Sequence, residues 1–169
     1  MRSLAIVLLL AVSARAEPRN AALVDIAGEI GGGTDGFVLG LRPELVLTHY
    51  ADIDLDRGDG IGIAGELVRA GGHGLLGGSL EYVHLHHVLR IEPSLGAYDR
   101  LADGKLGVTA SLLVALRAGE ESPPWQAHVG LRLTGRVDGD ESAIELTAQL
   151  DPVFLERFVT AFGLALAPH

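Results

Sequence analysis

Seven histidines occur in 169 residues, and three of them fall in one short run, Tyr82-Val83-His84-Leu85-His86-His87. On an extended strand Tyr82, His84 and His86 share a face, and two imidazoles two residues apart are spaced to hold Zn or Cu. No third ligand accompanies them in the sequence. His84 and His86 therefore stand as metal candidates without a completed set, and the favoured reading is a polar pair in a barrel lumen or at a turn, with no metal. Asp52, Asp54, Asp56 and Asp59 approach the spacing of a calcium loop, but Gly58 comes one place late and Glu66 lies beyond the twelfth position. An exposed acidic loop accounts for them. Ser79, Ser94 and Ser111 coexist with His84, His86, His128 and Glu81, the residue types of a rim hydrolase, yet no Gly-x-Ser-x-Gly elbow is present. Gly31-Gly32-Gly33 and Gly71-Gly72-His73-Gly74 lack the lysine and following helix of a phosphate loop. The expectation is a non-enzymatic protein without a cofactor.

What positions these residues is a rhythm of two. From Lys105 to Arg117, Leu106, Val108, Ala110, Leu112, Val114 and Leu116 fall on one face of a strand. Lys105, Gly107, Thr109, Ser111, Leu113, Ala115 and Arg117 fall on the other. A helix would scatter the six apolar positions around its circumference. The same alternation places Leu39 and Leu41 opposite Gly40 and Arg42, and Leu131 and Leu133 opposite Arg132 and Thr134. Glycine- and aspartate-rich turns, such as Ala102-Asp103-Gly104 and Asp138-Gly139-Asp140, separate the runs. The spacing predicts eight strands, over 22–31, 36–49, 60–70, 74–84, 87–99, 104–118, 125–137 and 142–150. No glycine or proline marks the break near His84 to His87. Successive hairpins of this length predict an all-β fold, an antiparallel up-and-down barrel over 17–150. The remainder, 151–169, reads two ways. Asp151-Pro152 is a helix start, followed by Leu155, Phe158, Val159, Phe162 and Leu166 at helical spacing, while Phe158 to Leu166 also alternates as a last strand.

Alternation alone leaves two orientations. In one, the leucines face lipid; in the other, they line a cavity in a soluble lipocalin-like carrier. The non-greasy face is rich in small residues (Gly40, Gly96, Gly107, Thr109, Ser111, Gly130), as a crowded interior requires. It also carries both charges: Arg42, Arg90, Arg132 and Arg136 against Glu44, Glu66, Glu92 and Glu145. Such a set is expected to form a lumen network of Arg–carboxylate bonds. The opposite face, with Leu39, Leu41, Leu106, Val108, Leu112, Val114, Leu131 and Leu133, is then expected to face lipid. Phe37, Tyr50, Tyr98 and Trp125 near strand ends would supply an interfacial girdle.

Residues 1–16 read as a cleaved secretory signal. Arg2 precedes an apolar stretch, Leu4 to Val12, and Ala14-Arg15-Ala16 offers the small-x-small pattern of a cleavage site. Losing them would shift the formal net charge from −9 to −11, because Arg2 and Arg15 go and no acid does. That charge argues against a nucleic-acid partner. The chain has no cysteine, so no disulfide holds the fold. Hydrophobic residues make up 48% and mean hydropathy is +0.31, too apolar for a disordered chain.

With signal segment, alternating strands and turn spacing together, the chain resembles the small outer-membrane β-barrel proteins of Gram-negative bacteria. The resemblance implies an outer-membrane location, lipid around the barrel and a structural or surface-interaction role through loops such as Tyr50–Gly60 and Gly119–Pro124. It departs from that class at its end, Ala165-Leu166-Ala167-Pro168-His169, where a terminal aromatic would be usual. The alternative remains a periplasmic lipocalin-like barrel carrying a lipid or other hydrophobic ligand.

Overall fold

A computed structural model describes residues 20–50, 57–117, 128–139 and 141–151. The signal segment, the Asp52, Asp54 and Asp56 run, Trp125, the loop 120–124 and the segment after Asp151 lie outside the described residues. Eight strands run in chain order: β1 (Asn20–Gly33), β2 (Gly36–Tyr50), β3 (Arg57–Ala70), β4 (His73–His86), β5 (Leu89–Arg100), β6 (Lys105–Arg117), β7 (His128–Asp138) and β8 (Glu141–Leu150). Each pairs antiparallel with the next, and β8 returns to β1, so the sheet closes. The described residues contain no helix. Closure pairs every strand on both sides over at least part of its length and so shortens the edge open to aggregation.

Local chemistry explains the details. Gly36, Gly71, Gly72, Gly104 and Gly139 take positive φ in the tight hairpins at one end. The break that no glycine marks, between β4 and β5, is made by His87 itself at φ 52°. Arg117 Nη1 donates to the carbonyl of His87 at 2.9 Å, which holds that turn. The ladder lapses where a proline removes a donor, at Pro43 between β2 and β3 and at Pro93 between β4 and β5. Gly65 leaves room for the Pro43 ring, since a Cβ there would lie 3.3 Å from its Cγ.

The closing seam is short. β1 meets β8 only through Gly28–Gly33, although it pairs with β2 along its whole length from Asn20 to Gly33. Among the described residues, the first half of β1 has no β8 partner.

Candidate functional site

The two faces of the wall have opposite chemistry. Arg42, Glu44, Glu66, Arg90, Glu92, Arg132, Arg136 and Glu145 all point inward, and none is more than 4% exposed. Leu39, Leu41, Leu106, Val108, Leu112, Val114, Leu131 and Leu133 point outward and are 43–77% exposed. Between the rims, no outward position on any strand carries Asp, Glu, Lys, Arg or His. The outward His49, Arg57, Asp59, His84 and His86 crowd one rim, and Arg69 and Asp99 lie at the other.

Inside, the arginines stitch strands far apart in sequence. Arg42 donates to Glu66, to Glu81 and, at 2.8 Å, to Ser79 Oγ. Arg90 bonds Glu44 and, through Nε at 3.0 Å, Glu92. Arg132 reaches Glu92 at 2.5 Å, Ser111 at 2.8 Å and Gln149 at 2.9 Å, with Glu29 at 3.4 Å. Arg136 bonds Glu66 at 3.0 Å and Glu145 at 3.1 Å, and its guanidinium lies 5.4 Å from the Tyr98 ring centroid. Buried charges persist only when paired and hydrogen-bonded, and each of these arginines is. Small apolar clusters flank the network: Leu23, Val46, Tyr50, Val83 and Leu85 towards the chain termini, and Val38, Val68, Ala70, Leu75 and Tyr98 towards the tight hairpins.

Asp25, Glu29, Glu81 and Gln149 belong to this interior and were not among the residues expected to form the network. The signal was present: Asp25 and Glu29 are separated by an even number of positions on one strand, as are Ser79 and Glu81.

One expectation needs correcting. Tyr50 and Tyr98 are not in a girdle; they point inward at 0% and 5% exposure. Alternation puts them on the Thr48 and Gly96 face, and glycines opposite make space: a Cβ on Gly107 would lie 2.4 Å from Tyr98 Cζ. Among the described residues the outward aromatic rings are those of Phe37, which was expected there, and Tyr82. Of the two places expected for His84 and His86, a lumen or a turn, they take the second, at the end of β4 beside the His87 turn. They face outward at the rim, where Nδ1 of His84 is 2.8 Å from Asp59 Oδ1, which Tyr82 also bonds. The serines and histidines weighed as a rim hydrolase and set aside form no Ser–His pair among the described residues. Ser79 and Ser111 accept from arginines inside the barrel, while His84 and His86 are outside it.

At the hairpin end a hollow of about 570 Å³ opens among Asp35, His73, Tyr98, Arg100, Asp138 and Glu141. Arg100 clamps Asp103 bidentately at 2.9 and 2.8 Å, and these hydrogen bonds hold the Asp103 carboxyl below its usual range. At the opposite end Asp25, His128 and Asp151 come together, each at most 3% exposed. A second convergence, Glu44, Glu81 and Glu92, sits in the arginine network and is already matched by Arg42, Arg90 and Arg132.

No family model, curated protein or solved structure matches the chain.

Proposed function

We propose that the protein is an outer-membrane β-barrel with a plugged, polar interior and a non-enzymatic, structural or surface-interaction role, exported with the help of its N-terminal segment. One observation carries this reading: 23 large apolar side chains stand exposed around the outer wall, on all eight strands, while five arginines are enclosed. A soluble monomer rarely exposes more than a few hundred Å² of contiguous apolar surface. Hydrocarbon makes the same surface favourable.

The height agrees. From Leu106 to Leu116 the outer face of β6 is uncharged; at about 3.3 Å per residue and a tilt of about 40°, this stretch stands about 25 Å tall, the height of an outer-membrane apolar band. A carrier of hydrophobic ligands needs an apolar cavity, and the centre of this barrel is filled by an Arg–Glu network instead. Such a filled lumen also disfavours bulk passage of solutes. A partner surface would lie at the end where 51–56 and 118–127 connect the strands, since the other end is closed by tight hairpins.

Fractionation tests the reading. The wild-type chain is expected to need detergent for extraction and to shift on a gel when heated. Leu112→Arg, placing a charge mid-band, is expected to cost about 2–4 kcal/mol of insertion and to leave the membrane fraction. A wild-type chain recovered folded in the soluble fraction, with Leu112→Arg equally folded, would sink the proposal.

A further inference from the structure

Among the described residues, nine buried carboxylates face five buried arginines. Arg42, Arg90 and Arg132 each already face two or more carboxylates, so the acid in excess has no guanidinium of its own. That excess is most localised at the terminal end, in Asp25, His128 and Asp151. One donor atom from each lies within 4.8 Å of those of the other two. Asp25 is 97% buried, the complement of its 3% exposure, and its Oδ2 lies 2.9 Å from Nδ1 of His128. The nearest guanidinium, Arg90, stands off at 3.8 Å and is engaged by Glu44 and Glu92.

We infer that Asp25, His128 and Asp151 form a binding site for one divalent transition-metal ion of the zinc class. One imidazole and two carboxylates make a donor set that zinc accepts, whereas calcium requires six to eight oxygens. The 2.9 Å between Asp25 Oδ2 and His128 Nδ1 is within reach of a common ion held at about 2.0–2.2 Å from each. The backbone presents the set firmly. Asp25 is on β1, His128 opens β7, and Asp151 follows β8, its amide donating to the His128 carbonyl at 3.1 Å. The site therefore bridges the half of the seam where β1 has no β8 partner, and an ion there would clip β1 to β7 and β8.

The experiment uses the full chain folded in detergent, stripped with a chelator, then given zinc chloride alone. About one tightly held zinc per chain is expected, along with a higher temperature for the heat-induced gel shift, because an ion bound only by the folded barrel stabilises it. Asp25→Asn and His128→Gln are expected to weaken binding about tenfold or more and to abolish the shift, while His84→Gln/His86→Gln, altering only the outer rim, leaves both unchanged. Zinc content in folded wild type no higher than in Asp25→Asn/His128→Gln would overturn the site, and so would loss of binding in the rim variant. Should the inner variants fail to fold, X-ray absorption of zinc-loaded wild type decides. One imidazole with carboxylate oxygens supports the site; two or more imidazoles, or no protein-bound zinc, refute it. Zinc content and X-ray absorption do not depend on where the barrel resides, so this inference and the membrane reading fail separately.

Discussion

Leu112 and Leu113 are neighbours in sequence and live in different solvents. Leu112 projects from the outer wall at 43% exposure, and Leu113 is fully enclosed within the barrel. The contrast holds along every strand. Outward side chains between the rims share only their apolar character, and nothing fixes which of them touches which. Inward side chains have named partners, such as Arg132 with Glu92, Ser111 and Gln149, drawn from three other strands. The outer face thus specifies an environment, and the inner face specifies one arrangement of eight strands.

The sharpest way to break this contrast is to remove an inner charge. Arg42→Met leaves Glu81 buried without its cation and Glu66 with Arg136 alone, and is expected to cost about 3–5 kcal/mol, read by urea unfolding in lipid vesicles. Adding Glu81→Gln should recover part of that loss; no recovery would mean that Arg42 acts through packing alone. Next comes the leucine pair. Leu113→Ala opens an enclosed cavity and should cost about 2–5 kcal/mol. Leu112→Ala should cost clearly less in vesicles, because lipid chains fill the space. Equal losses would show that the two faces are not solvated differently. Gly107→Val drives a side chain into the Tyr98 ring and is expected to cost about 1–3 kcal/mol, with changed Tyr98 fluorescence as the ring leaves Arg136. The smallest effect belongs to the β4–β5 turn. His87→Gly relieves a left-handed residue and should raise stability by up to about 1 kcal/mol, less whatever the 3.0 Å contact of His87 with Arg57 contributes.

Much of the fold was legible beforehand because a barrel wall is a local pattern. Lys105 to Arg117 states its own secondary structure and its two faces, and the turn glycines mark most of the breaks. The β4–β5 boundary was hard to read for the same reason: His87 performs a glycine's role without glycine's signature. The eight charges expected to cluster do lie together, since residues of like parity in a closed sheet have only one enclosed axis to share. Asp25 and His128 were missed because they are 103 positions apart, and no spacing rule connects the first strand of a barrel to its seventh.

Composition and alternation by themselves determined that this chain makes strands, that one face of each is apolar, and that the other carries small residues with both charges. Period two is a property of the extended backbone and needs no partner to be read. Only the closed structure decided which face encloses the axis, which arginine meets which glutamate, and that Asp25, His128 and Asp151 converge beside a half-paired seam. Those outcomes depend on register and closure, which are set by all eight strands at once.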